Sequence, residues 1–315
     1  MSDFKTLKGL FIKHVSSDPS NLIEGQIWYN TTSQTLKVAP QIGTWATGTS
    51  CSDAKRGRLR SFGIQTAAVV AGGFPTVADS EEYNGTSWTA GGDINTAREY
   101  VGTSGTLTAG VIFSGRASPD LKDECEEYDG TTWTENGDVN TSVLAPASST
   151  SGPQTATVKF GGEASGSTAS NSTEEYNGSS WTAANNMPGA FYDAQGFGVL
   201  TAAVAVGNVN AHYDGTNWTS ANALSTDRDG FATAGLQTAG LAFGGQLPPG
   251  KQVLTEAYNG TSWSEHGGNM ATGRNELGGC GTSVAGLATC GDRPGTNTDV
   301  EEWTDAATAR SVDTS

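Results

Sequence analysis

Five times the chain writes the same six-residue phrase: Tyr83-Asn-Gly-Thr-Ser-Trp88, Tyr128-Asp-Gly-Thr-Thr-Trp133, Tyr176-Asn-Gly-Ser-Ser-Trp181, Tyr213-Asp-Gly-Thr-Asn-Trp218 and Tyr258-Asn-Gly-Thr-Ser-Trp263. A period this regular makes the chain a repeat array, so the repeat unit constrains the fold before any single residue does. Asn-Gly and Asp-Gly between β-prone residues are strong hairpin signals, because a type I′ turn needs positive φ at both central positions. The unit is therefore built of strands. A two-residue turn at Asn84-Gly85 pairs Tyr83 with Thr86 and Glu81 with Trp88, and puts all four side chains on one face; Glu82 and Ser87 face the other way.

Before each hairpin stands a second phrase, an apolar run closed by glycine. Its clearest copies are Gly63-Ile-Gln-Thr-Ala-Ala-Val-Val-Ala-Gly-Gly73, Gly105-Thr-Leu-Thr-Ala-Gly-Val-Ile-Phe-Ser-Gly115 and Gly235-Leu-Gln-Thr-Ala-Gly-Leu-Ala-Phe-Gly-Gly245; weaker ones cover 152–162, 198–207 and 281–291. Each reads as a short strand, a tight turn and an apolar strand buried on both faces. With Trp45 as a degenerate first copy, the tryptophans follow one another at 43, 45, 48, 37 and 45 residues, the length of one propeller blade.

Paired glycines, a Tyr and a Trp close behind, and a short turn such as Asn95-Thr-Ala-Arg98, Asp227-Arg228 or Ala271-Thr-Gly-Arg274 resemble the kelch β-propeller family. The resemblance spans roughly residues 35–308. It implies an all-β, six-bladed kelch-like β-propeller closed by strands from both termini. The last copy has Trp303 in the Tyr place and lacks its tryptophan strand, whereas the first has the Trp45 strand and no glycine strand before it. The Trp45 strand is therefore expected to complete the last blade. A seventh blade from the hairpin of 26–29 and 35–38 is the alternative count. In this reading Tyr83, Trp88, Tyr128, Trp133, Tyr176, Trp181, Tyr213, Trp218, Tyr258, Trp263, Trp303 and Trp45 are structural repeat residues.

The charge is −16, from 33 acids against 17 bases, which argues against a nucleic-acid surface. The basic run Lys55-Arg-Gly-Arg-Leu-Arg60 is read as a solvated loop with arginines over neighbouring carboxylates, the alternative being a docking patch for an acidic partner. Glycine, at 43 residues, falls at periodic turn and strand-end positions and so reads as geometry. No secretory leader and no membrane-length apolar stretch are seen, so cytoplasmic synthesis and no membrane insertion are expected. Four scattered cysteines, Cys51, Cys125, Cys280 and Cys290, do not make a disulfide framework. The predicted register of the last hairpin points Cys280 and Cys290 to opposite sides, and free thiols are expected.

The repeated Glu pairs (Glu81-Glu82, Glu126-Glu127, Glu174-Glu175, Glu301-Glu302) are adjacent on strands and point to opposite faces, unlike a glycosidase dyad. One member is expected to accept hydrogen bonds from a neighbouring blade and the other to be solvated. Kelch propellers include a copper radical oxidase, but His14, His212 and His266 fall in different parts of the repeat without metal-ligand spacing. No catalytic residue, metal or cofactor is expected. The sequons at Asn84, Asn177 and Asn259 coincide with the hairpin turns, which accounts for them without glycosylation.

Function is expected on the variable face, which carries the loops 74–79, 116–124, 163–172, 208–211, 246–253 and 292–298. Arg116, Asp120, Lys122, Glu163, Lys251 and Arg293 are the candidate binding residues there. At the N-terminus, Asp18-Pro, then Glu24-Gly-Gln-Ile-Trp-Tyr-Asn-Thr-Thr32 and Leu36-Lys-Val38, is similar to a hairpin module of bacteriophage tail-fibre and other virion proteins, those of marine tailed phages in particular. That resemblance implies a non-enzymatic structural protein of the virion, associated with the tail or fibre or decorating the capsid. It implies residues 1–34 as an attachment segment to other virion proteins, 35–308 as the propeller and 309–315 as a tail. The implied partners are a host-surface glycan or protein, and the implied assembly a symmetric oligomer. A lectin or carbohydrate-active enzyme is the alternative.

Overall fold

In the structure the repeated hairpin is tighter on its own side chain than the sequence suggests. Asn84 Oδ1 accepts the amide protons of Thr86 and Ser87, both at 2.9 Å, and Asp129 Oδ1 those of Thr131 and Thr132, both at 2.8 Å. This Asx arrangement spends four residues on the turn instead of two. Tyr83 then lies directly opposite Trp88, not Thr86, and the register shifts accordingly. Glu81, Tyr83 and Trp88 still share a face, and the Tyr83 and Trp88 rings stack at 4.7 Å.

A computed structural model describes residues 12–19, 27–38, 43–52, 57–193, 195–292, 298–305 and 310–311. The chain divides into two compact units, Met1–Gly43 with Asp305–Ser315, and Thr44–Thr304. In the first unit, Lys13–Val15 runs parallel to Ile27–Asn30, which pairs antiparallel with Thr35–Val38, and that strand pairs with Arg310–Ser311. Asp18 fastens the hairpin, accepting from Trp28 Nε1 at 3.0 Å and Asn30 Nδ2 at 2.8 Å. The Asp-Pro and Trp-Tyr-Asn parts of the N-terminal pattern are thus one hydrogen-bonded cluster.

The second unit holds six four-stranded antiparallel sheets. Sheet 1 is Arg60–Ile64, Ala67–Ala71, Ser80–Tyr83 and Trp88–Ala90. Sheet 2 is Gly102–Thr106, Ala109–Phe113, Cys125–Tyr128 and Trp133–Asn136. Sheet 3 is Ala147–Ser148, Thr157–Phe160, Thr173–Tyr176 and Trp181–Ala183; sheet 4 is Gln195–Val199, Ala202–Val206, Ala211–Tyr213 and Trp218–Ser220. Sheet 5 is Ala232–Leu236, Ala239–Phe243, Thr255–Tyr258 and Trp263–Glu265. Sheet 6 is Gly278–Gly281, Ala285–Thr289 and Val300–Thr304 with Thr44–Thr47 as its fourth strand, Trp45 opposite Trp303.

The expectation of a closed six-bladed kelch-like β-propeller, and of its seven-bladed alternative, is corrected at this point. Among the described residues every sheet is open and none closes or curls on itself. The physical reason is local: strand pairing is completed within each set of four strands, sheet 6 taking Thr44–Thr47 as its fourth, so no ladder runs from one sheet into the next. The hairpin counted as a seventh blade belongs to the sheet of the first unit. What joins neighbouring sheets is packing. The first strands contact one another in the cyclic order of sheets 1 to 6 and back to 1, and the apolar clusters lie between successive sheets. One joins Phe62 and Val69 of sheet 1 to Ile112, Tyr128 and Trp133 of sheet 2, and another joins Leu287 and Val300 of sheet 6 to Val70 and Tyr83 of sheet 1.

The Glu pairs carry the polar half of this packing. The first Glu of a pair takes the amides and the cation of the loop leading from the preceding sheet: Glu126 accepts from Asn95 N at 2.6 Å and Arg98 Nη2 at 2.8 Å. Glu256 does the same with Ser225 N and Arg228, and Glu301 with Ala271 N and Arg274. The second Glu accepts the tyrosine hydroxyl of the following sheet, so neither member is the solvated one that was expected. Tyr128 donates to Glu82 at 2.5 Å, Tyr176 to Glu127 at 2.9 Å and Tyr213 to Glu175 at 2.6 Å, and Tyr83 donates to Glu302.

Candidate functional site

The variable face is organised by one backbone conformation repeated before every first strand. Arg58, Tyr100, Ala145, Asp193, Gly230 and Glu276 occupy equivalent positions, and all have φ between 49° and 60°. Left-handed φ is rare for side-chain-bearing residues and persists where the surroundings over-determine it. Here the amides are handed from sheet to sheet: Tyr100 N donates to Arg58 O at 2.7 Å, Ala145 N to Tyr100 O at 3.1 Å, Glu276 N to Gly230 O at 2.7 Å and Arg58 N to Glu276 O at 3.1 Å.

This backbone gathers side chains that are far apart in sequence. Arg58 Nε lies 3.2 Å from Glu276 and its Nη1 3.4 Å from Glu99, while its guanidinium sits over the rings of Phe74 at 4.6 Å and Tyr100 at 5.3 Å. Tyr100 donates its hydroxyl to Glu276 at 2.8 Å. Burial opposes the charge of Arg58, but Tyr100, Glu276 and Glu99 more than offset it and raise its pKa. Asp193 is pushed the other way from an ordinary carboxylate. Burial, with Glu276 and Asp229 nearby, raises its pKa, and Arg60 only partly opposes this. The basic run is thus a set of arginines over carboxylates where it is described; Lys55 and Arg56 lie outside the described residues.

Next to this cluster, two small hairpins stand up from the second-to-third-strand loops: Arg116–Ala117 with Asp120–Leu121, and Glu163–Ala164 with Thr168–Ala169. Arg116 is pinned at its root, because its backbone exchanges two 2.9 Å bonds with Glu99 and its guanidinium holds Glu99 Oε1 at 2.5 and 3.1 Å. Between the hairpins runs a groove of about 360 Å³, lined by Arg116, Pro119, Asp120, Leu121, Leu144 and the segment 163–167. That volume lies in the range of small-ligand sites. The groove offers one guanidinium, two carboxylates, the serines at 165 and 167 and a short apolar floor.

Of the residues singled out from sequence, the fold brings together Arg116, Asp120 and Glu163. Lys122 turns aside to Glu124, 3.6 Å away, and Lys251 pairs with Asp292 at 2.8 Å. Arg293 lies outside the described residues. Arg58 belongs to the basic run already legible in the sequence, whereas Glu99, Tyr100, Asp193 and Glu276 were not, because the loops between sheets carry no fixed motif. The signal shared by Arg58, Tyr100, Asp193 and Glu276 is positional, two residues before the first strand of each sheet, with Glu99 one residue earlier.

Among the described residues, no group of three His, Cys, Asp or Glu side chains converges as a metal site. His212 meets Tyr258 Oη at 2.6 Å, and His266 packs edge-on against Trp303.

Compared with known proteins, the chain matches no family model and no curated protein. The resemblance to kelch propellers and to virion proteins of marine tailed phages is corrected by these findings together with the open sheets. The internal repeat creates kelch-like spacing by itself, since its aromatic hairpins and Gly-ended strands recur copy after copy in this chain.

Proposed function

We propose that the chain is a non-enzymatic binding module that engages surface carbohydrate through the groove between the hairpins 116–121 and 163–169. The observation that supports this reading is the lining of that groove. Asp120 and Glu163 supply acceptors for hydroxyl donors, Arg116 a fixed donor, Ser165 and Ser167 groups that act as either, and Pro119, Leu121 and Leu144 a small apolar floor. Such a set suits the alternating hydroxyl and C–H faces of a sugar. The adjacent cluster of Arg58, Tyr100 and Glu276 extends the polar surface. The first unit, with its own sheet, is the proposed attachment element to a protein partner.

A glycan array read alongside a reducing-end assay tests the proposal. Wild type is expected to retain a defined set of glycans and release no reducing ends, and Asp120→Ala with Glu163→Ala to weaken retention at least about tenfold, the effect of losing charge-assisted hydrogen bonds. Reducing-end release would make the protein an enzyme. Binding that survives the double substitution would move the site elsewhere.

A further inference from the structure

We infer that Cys51 and Cys290 are a disulfide-forming pair that staples the segment following the Trp45 strand to the sixth sheet. The two Sγ atoms lie 2.7 Å apart, joining positions 239 residues distant in sequence. Both side chains are enclosed, at 4% and 0% exposure, in one apolar cluster with Leu59, Leu287 and Val300. Their backbones are fixed on the same short stretch, Cys51 N donating to Thr298 O at 3.0 Å and Cys290 N to Asp299 O at 2.7 Å. The left-handed φ of 53° at Cys290 turns the chain just after the strand Ala285–Thr289.

The other two cysteines are placed differently. Cys125 lies in the cluster between sheets 2 and 3, and Cys280, which shares the cluster of Cys51 and Cys290, stands on the edge strand of sheet 6, Gly278–Gly281, opposite Leu287. The sequence expectation weighed only Cys280 with Cys290. The distant pairing is visible only once Thr44–Thr47 has joined sheet 6.

The oxidant required is a low-molecular-weight disulfide, RSSR. The thiolate of one cysteine attacks RSSR, forming a mixed disulfide and releasing RS⁻; the second cysteine's thiolate attacks the protein sulfur of that bond and releases the second RS⁻. The two protons lost by the protein thiols leave on the two RSH molecules. The protein is oxidised by two electrons and RSSR is reduced by the same two. Because both sulfurs are enclosed in the fold, exchange takes place during folding, before the sixth sheet packs over them.

Refolding the full chain in a buffer of reduced and oxidised glutathione, followed by thiol counting and non-reducing peptide mapping, tests the pair. Two thiols are expected to disappear and one cross-linked peptide, Cys51 to Cys290, to be recovered. Cys51→Ser and Cys290→Ser each abolish it, whereas Cys125→Ser leaves it intact. Unfolding of the oxidised protein is expected to be at least about tenfold slower than in reductant, with no such difference for Cys290→Ser. Four reactive thiols after oxidative refolding, or a cross-link through Cys125 or Cys280, would overturn the inference. Mapping of the wild-type chain decides even if a serine variant fails to fold.

Discussion

At the scale of single residues the repeat keeps its accounts by paired replacement. Where sheet 4 has His212 in the place of the second Glu, Tyr258 still finds a polar partner in it. Where sheet 5 has Ala257 there, the following sheet has Trp303 and no tyrosine hydroxyl to satisfy. The buried cation moves in the same way. Val143 occupies the place of Arg98, and Lys159 on the second strand of sheet 3 reaches Glu174 at 2.6 Å instead. In sheet 4 both charges are gone, replaced by Phe191 and Ala211, each buried.

Two predictions belong here. Lys159→Met leaves Glu174 enclosed with only its Asn140 and Thr141 donors, and is expected to cost about 3–5 kcal/mol in denaturant unfolding; Lys159→Met with Val143→Arg is expected to recover part of that loss. Burial holds His212 below its ordinary pKa of 6.5. The unfolded chain therefore binds the extra proton first, so stability falls as pH is lowered through 6.5 toward the folded-state value. His212→Gln is expected to remove that component of the profile, measured as unfolding midpoint between neutral and mildly acidic pH. An unchanged slope would show that His212 does not titrate between the two states.

At the scale of elements, the second strands of sheets 2 and 5 carry a glycine where an aromatic ring of the preceding sheet occupies the space of a side chain. A Cβ on Gly110 would come within 2.1 Å of the Phe62 ring, and one on Gly240 within 2.5 Å of the Phe197 ring. Phe62 and Phe197 are first-strand residues of the preceding sheet, so the glycine and the ring form one repeated joint. Gly110→Ala is expected to destabilise by about 1–3 kcal/mol through overpacking. Gly267→Ala, which meets nothing within 4 Å, is expected to stay within about 0.5 kcal/mol. Equal effects in thermal unfolding would mean that Phe62 can repack freely. The turns add to the same joint: Gln65, Gln154 and Gln237 each reach across to carbonyls of the preceding sheet.

At the scale of the whole molecule, the six inter-sheet clusters all lie within Thr44–Thr304. Removing residues 1–22 takes Lys13–Val15 and Asp18 from the first unit only. The main thermal transition is expected to shift by less than about 2 °C, a change smaller than loss of one ordinary contact in a domain this size. Its collapse would show that the first unit holds the second together.

The sequence by itself determined that the protein is an all-β array and which residues recur, and it pointed to tyrosine, tryptophan and one glutamate of each pair as packing residues. Those follow from local chemistry, the turn preference of Asn-Gly and the two-residue alternation of strands, which need no distant partner. It misjudged the turn by two residues because the Asx side chain caps its own loop, a competition between side chain and backbone that a turn dipeptide does not reveal. Only the tertiary structure decided that the sheets stay open, that the second glutamates receive tyrosine hydroxyls, and that Arg116, Asp120 and Glu163 share a groove. It alone brought Cys51 to Cys290 and Arg58 to Glu276. These are contacts between different copies of the repeat, and a repeating sequence gives nearly every copy the same local signal; the exception is the incomplete last copy, whose missing strand pointed to Trp45, which does lie opposite Trp303.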